Sequence, residues 1–218
     1  MRAIIVRELI VMARTPALPV AIFAYVGLLL AFVLAWPAGV PVSTHSSVYT
    51  QLGVLQWGLL AAISPWAVTR ASAMEHRDAL VALSAATARR PSVHLASKVV
   101  AALIALITLE VSGVPVAVLA QQMAASPIAL VPRDLLSQFG FAILVAVATV
   151  AWAVGVNNPL AAWAGATVTI AAWLGLAWMW TPAATELGLT CAAAGMLGAA
   201  GLAGWSDRSL VYLGETTT

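Results

Sequence analysis

Apolar residues run in long blocks through this chain, and short polar or proline-containing segments punctuate them. Six blocks, at approximately 17–36, 51–69, 99–121, 136–154, 160–179 and 187–205, hold no Lys or Arg, and their only acid is Glu110. Between them lie Pro37 to Thr50, the charged segment 70–98, Gln121 to Asp134, Asn157-Asn158-Pro159, and Thr181 to Glu186. A bilayer core of about 30 Å needs about 20 apolar residues in a helix. Period-two alternation is absent and the blocks are too long for barrel strands, so helices are expected. The pattern predicts an all-α, polytopic membrane protein with six transmembrane helices.

Ahead of the first block, Ile5, Leu9 and Met12 recur at helical spacing, with Arg7, Glu8 and Arg14 placed on other faces. That predicts an N-terminal amphipathic interfacial helix over residues 2–13, ended by Pro16 and Pro19. A disordered basic lead-in is the bland alternative. A secretory signal peptide is disfavoured by Glu8 and by the lack of a clean small-x-small cleavage site after Trp36. The expected organisation is an interfacial helix over 1–16, a six-span domain over 17–205 with a cytosolic loop at 70–98, and a cytosolic tail over 206–218.

Composition agrees with the pattern. Of 218 residues, 62% are hydrophobic and 8% charged, and the mean hydropathy is +0.99. Soluble domains carry roughly 25% charged residues, because a wet surface must be built from something. A net charge of +2 is too small to suggest nucleic acid. Cys191 is the single cysteine, so no intramolecular disulfide forms and redox compartment cannot be read.

The distribution of positive charge sets orientation. With the amino terminus inside, Arg2, Arg7, Arg14, Arg70, Arg77, Arg89, Arg90, Lys98 and Arg208 share one side, against Arg133 alone on the other. The positive-inside rule therefore places both termini and the 70–98 loop in the cytoplasm. Trp36, Trp57, Trp66, Trp152, Trp178, Trp180 and Trp205 fall near span ends, as interfacial anchors do.

No G-x-x-x-x-G-K-[ST] loop occurs, so the chain does not bind ATP by that route. His45, His76 and His94 are scattered without metal-ligand spacing, and neither G-x-S-x-G nor H-E-x-x-H is present. The expectation is a protein that is not itself an enzyme and holds no metal or cofactor.

Seven of the eighteen charged residues lie between Arg70 and Lys98. Residues 75–88 read as a short helix, with Glu75 and Asp78 in its first turn and Arg89-Arg90 after its end, matching the helix dipole. Pro91 blocks simple continuation, and Ser92 is placed to cap the helix that carries His94 and Lys98 into the third span. The alternative is a solvated loop whose arginines merely obey the positive-inside rule.

This segment resembles the type-2 permease of ATP-binding-cassette (ABC) exporters. The family pattern runs from the second span into an acidic-basic segment, a Leu-containing short helix, a basic patch and a Lys that opens the third span. Here the pieces are Glu75-His76-Arg77-Asp78, Leu80 and Leu83, Arg89-Arg90, and Lys98. Asp78-Ala79 stand where the family has a glycine, and the proline sits at Pro91 rather than near Thr87-Ala88. The resemblance implies that Glu75, His76, Arg77, Asp78, Leu80, Leu83, Arg89 and Arg90 dock on a separate cytosolic ATPase. That subunit would bind ATP and Mg, and a second permease chain would complete the transporter. It also implies a multi-pass protein of a bacterial plasma membrane that exports a small hydrophobic or amphipathic compound or peptide.

Glu110 lies twelve positions beyond Lys98, about 18 Å along a helix and so near mid-membrane. It is either a polar point in the translocation path or a protonated acid hydrogen-bonded to a neighbour such as Thr167 or Thr169. Gly188, Gly195, Gly198, Ala199, Gly201 and Gly204 make the last block a close-packing surface, within the chain or across a dimer. Rival readings are a self-contained ion- or proton-coupled carrier using Glu110, a haem-exporter-like permease, and a structural membrane anchor.

Overall fold

Five of the six apolar blocks fold as helices long and apolar enough to cross a bilayer, over Ala17–Ala35, Leu52–Ala71, Leu95–Ala120, Gln138–Gly155 and Pro159–Leu176. The computed structural model describes residues 2–35, 45–77, 91–124, 132–156, 158–180 and 190–202. Within them the elements are α1 (Arg2–Arg14), α2 (Ala17–Ala35), α3 (His45–Arg77), α4 (Pro91–Ala124), α5 (Pro132–Gly155), α6 (Pro159–Trp180) and α7 (Thr190–Leu202). The sixth block supplies α7, whose described length of about 20 Å is short of the hydrocarbon thickness.

The outer faces are apolar. Phe23, Val111, Val168 and Met179 are all more than half exposed. In water such a perimeter would drive association, whereas lipid tails accommodate it. The protein is therefore read as embedded in a membrane.

α5 forms the centre. Residues Phe141, Ala142 and Leu144 to Val150 are buried, and α3, α4 and α6 pack around them. α2 lies against α3 and α4, while α1 packs mainly on α4. Ala101, Ala102 and Ala105 of α4 are buried, and their small side chains allow close helix approach.

Local sequence fixes several seams. Asn158 caps α6, accepting the Leu160 N–H at 3.0 Å through Oδ1, and Pro159 takes the first helical position, where its missing N–H costs nothing. Trp152 of α5 donates to the Thr169 hydroxyl at 3.0 Å across Gly165, where a Cβ would lie 2.5 Å from the indole. Gly195 and Gly198 of α7 sit against Ile143 and Val147 of α5, so these two small residues serve packing inside the chain.

Two helices outrun their apolar stretches. α3 has 33 residues and α4 has 34, each about 50 Å long against a bilayer core of about 30 Å. The expected loop from Pro37 to Thr50 is thus shorter, because α3 already starts at His45. The expected short helix beginning at Glu75 also needs correction. Glu75, His76 and Arg77 continue α3, since the Ala-rich stretch from Ala67 contains no Gly or Pro to stop it. Likewise α4 opens at Pro91 and not behind a Ser92 cap, in keeping with the tolerance of proline in a first turn.

Trp57, near the start of the Leu52–Ala71 span, stacks on Phe141 with centroids 4.8 Å apart and planes at 6°. Trp66 lines an apolar cavity between helices. Both are packing residues here.

Candidate functional site

The charged segment is carried by a helical stalk. α3 continues past its apolar stretch through residues 72–77, about 9 Å further. α4 begins at Pro91, about 6 Å before its apolar stretch opens at Leu95. The two helices touch, and Arg70 is exposed near the base of the stalk. Glu75, His76 and Arg77 thus form the last turn of α3. Asp78, Leu80, Leu83, Arg89 and Arg90 lie outside the described residues.

An ion pair ties α1 to this stalk. Lys98 Nζ donates to Glu8 Oε2 at 3.4 Å, with the two side chains only 12% and 4% exposed. Sequence spacing put Glu8 on a face away from Leu9 and Met12, but the structure buries it beside them. The reason is geometric: positions 5, 8, 9 and 12 share one helical face. Val6 and Ile10 lie on the exposed side. A buried carboxylate is tolerated only with a partner, and the cation at the start of the third span supplies it. The α1–α2 corner is fixed by Thr15, whose hydroxyl donates to the Met12 carbonyl at 2.8 Å.

Deeper in the bundle a tyrosine is buried, with polar side chains of α3 and α4 in its electrostatic surroundings. The Tyr25 side chain of α2 is fully buried, and its hydroxyl makes no hydrogen bond of regular geometry. It faces the Gln56 amide of α3 and stands within electrostatic range of the Glu110 carboxyl of α4. Gly113 lets the ring lie against α4: a Cβ there would meet Tyr25 Cε1 at 3.0 Å and its oxygen at 3.1 Å. Pro115 follows in the same helix and removes the N–H that would bond the Val111 carbonyl, which loosens α4 locally. Glu110 therefore faces α2, not the α6 threonines. Thr169 is engaged by Gly165 and Trp152, and the Thr167 hydroxyl has no partner. Among the described residues no cation pairs with Glu110.

One helical turn from Tyr25 along α2, an apolar cavity of 290 Å³ opens between α2, α3 and α6. Val20, Ala24, Ala62, Ile63, Trp66 and Trp163 line it. Nearby in α3, Pro65 removes one N–H from the helical ladder. Trp163 of α6 donates its indole N–H to the Ala62 carbonyl, 2.8 Å away.

Sequence reading singled out Glu110 and missed Tyr25 and Gln56. The available signal was that each is a polar residue inside an apolar block, Tyr25 the lone one in its block, a placement that is costly unless something is gained from it. Among the described residues no group of His, Cys, Asp and Glu could hold a metal ion. In comparisons with known proteins the chain matches no family model, no curated protein and no solved structure.

Proposed function

We propose that this chain is the permease subunit of a type-2 ABC exporter. The observation that carries the reading is the helical stalk of α3 and α4, which extends beyond the spans and frames the segment from Arg70 to Lys98, where seven of the eighteen charged residues lie. A soluble partner would find its largest polar target there. On this reading α7 with its flanking residues completes a sixth crossing, and α1 is the interfacial helix. Nine of ten Lys and Arg residues then face the cytoplasm of a bacterium, together with both termini.

Glu75, His76, Arg77, Asp78, Leu80, Leu83, Arg89 and Arg90 would seat on a cytosolic ATPase that binds ATP and Mg, with Leu80 and Leu83 as the buried contact and the charges fixing register. Closure of two such subunits pushes the stalks of two paired permease chains and shifts them between inward- and outward-facing states. This polypeptide then performs no bond chemistry. Its other partner is membrane lipid.

The test is purification of the tagged chain from its native host. An ATPase without membrane spans should co-purify in defined stoichiometry, and Leu80→Asp with Leu83→Asp should release it while the helices remain inserted. A complex that survives the double change refutes the docking assignment. A second reading, an ion- or proton-coupled carrier, is favoured by the Gln56 and Glu110 side chains in the electrostatic surroundings of Tyr25. It requires transport by the purified chain alone, without ATP.

A further inference from the structure

The cavity between α2, α3 and α6 lies at one depth in the bundle. Val20 stands three residues after the start of its span at Ala17, Trp163 four after Pro159, and Trp66 five before the end of its span at Ala71. At the helical rise these walls are about 5–8 Å inside the span ends. All three ends are on the stalk side of the bundle, so the cavity sits just beneath the headgroup level of one leaflet. Its wall is wholly apolar, and the Trp163 indole N–H is already spent on the Ala62 carbonyl. The outer side is open, because Val20 is 51% exposed and Ala24 is exposed beside it. An open apolar recess facing lipid loses dispersion contacts unless something fills it, and the volume of 290 Å³ holds part of one acyl chain.

A cation marks the rim. Arg70 follows Trp66 by four residues and Ile63 by seven, so it continues the cavity-lining stripe of α3 by one turn toward the stalk. It is exposed, and it stands one residue before the span ends at Ala71, where phosphates of the leaflet lie. Among the described residues no acid pairs with it. Guanidinium groups bind phosphate oxygens in bidentate fashion. An apolar slot below and an unpaired arginine above, on one helical stripe, match the two ends of a phospholipid.

We infer that this cavity, with Arg70 at its rim, is a binding site for an anionic glycerophospholipid of the leaflet at the stalk end. One acyl chain is seated between Trp66 and Trp163, and the guanidinium holds the phosphate. The bound chain bridges α2, α3 and α6 at the base of the stalk. The site goes beyond the exporter reading and does not rest on it, since neither an ATPase nor a cargo enters the argument.

The experiment uses the full chain, purified in detergent and stripped of lipid, with two probes of identical acyl chains, dioleoyl phosphatidylglycerol and dioleoyl phosphatidylcholine. Native mass spectrometry counts the lipid retained during titration. Wild-type protein should retain one phosphatidylglycerol saturably, about fivefold to tenfold more tightly than phosphatidylcholine, the scale of one arginine at an anionic headgroup. Arg70→Gln should bring phosphatidylglycerol down to the affinity of phosphatidylcholine, and Arg70→Lys should keep most of the preference. Ala24→Phe fills the recess from its exposed side and should abolish saturable retention of both lipids while the unfolding midpoint stays unchanged. A preference that persists in Arg70→Gln, or retention that survives Ala24→Phe, overturns the assignment. So does a wild-type chain that retains no lipid saturably, including one whose cavity is covered by a second copy in a lipid-free dimer.

Discussion

Breaking the Glu8–Lys98 pair should destabilise the protein through whichever charge is left behind, and the two single variants should differ in their pH dependence. At 3.4 Å and an effective dielectric near 20, the gross attraction is about 5 kcal/mol. Desolvation of two ions cancels much of it, so the pair itself adds little net stability. Removing one partner is different, because the survivor stays buried; such losses run to about 3–5 kcal/mol. Lys98 is the more exposed of the two, at 12%, and can extend its stem toward headgroups after Glu8→Gln. That variant should therefore lose only about 1–2 kcal/mol, below the full penalty.

In Lys98→Met the Glu8 carboxyl, at 4% exposure, loses the cation beside it, and uptake of a proton limits the penalty. Neutralising an ordinary glutamate at pH 7 costs about 4 kcal/mol, which caps the penalty. The cost falls by about 1.4 kcal/mol for each unit that pH is lowered toward the ordinary carboxyl range. Lys98→Met should thus recover stability between pH 7 and pH 5, whereas Glu8→Gln should not. Unfolding in mixed micelles across pH, run as a double-mutant cycle, measures both effects, with an expected coupling of about 1–3 kcal/mol. Additive single losses, or identical pH profiles for the two variants, would refute the buried-pair account.

Two further substitutions test the helix seams, and one tests the polar cluster. Gly165→Ala places a methyl 2.5 Å from the Trp152 indole and should cost about 1–3 kcal/mol by overpacking, read as a lower unfolding midpoint in detergent. Unchanged stability would mean that α5 and α6 do not meet there. Gly195→Leu should displace α7, because its Cβ would already lie 2.7 Å from Ile143. Gly201→Leu, in open space, should be silent in the same assay; equal effects at the two sites would dismiss the α7 placement. On transport in cells, Glu110→Gln should behave as the neutral acid does and Glu110→Ala should impair activity at equal expression. Wild-type transport by the alanine variant would remove Glu110 from the mechanism.

Hydropathy alone located the five spans to within a few residues, because the cost of exposing backbone and charge to lipid is paid by every residue of a span. It could not locate where α3 and α4 end, since a helix that leaves the bilayer keeps its hydrogen bonds while its side chains turn polar. The continuation from Ala67 to Arg77 was visible only as the absence of any breaker. The partnership of Glu8 with Lys98 is ninety residues apart in sequence and leaves no local mark. Tyr25 and Gln56 were legible as polar residues in apolar surroundings, but their position relative to Glu110 depends on how α2 and α3 rotate about their axes. Tertiary packing sets that rotation, through contacts such as Trp57 on Phe141 and Tyr25 on Gly113.

One helix joins the features that matter for function. α4 runs from Pro91 through Lys98, Glu110 and Gly113 before its internal proline at Pro115. Between Pro91 and Pro115 it contains no proline, so that portion can move as a rod about 36 Å long. A push delivered at the stalk would reach Lys98 first, where α1 is tied on, and would be felt about 18 Å further on at Glu110. There the rod would slide against the Tyr25 ring, on which a Cβ at Gly113 would press at 3.0 Å. Small axial shifts of α4 would therefore change how the carboxyl faces the phenol and the amide. On the exporter reading, that is how an event at the cytosolic end would be felt at mid-membrane. The consequence is specific: Gly113→Ala should weaken the coupling of transport to ATP hydrolysis more than it lowers the stability of the bundle. Equal losses in both would place Gly113 in packing alone.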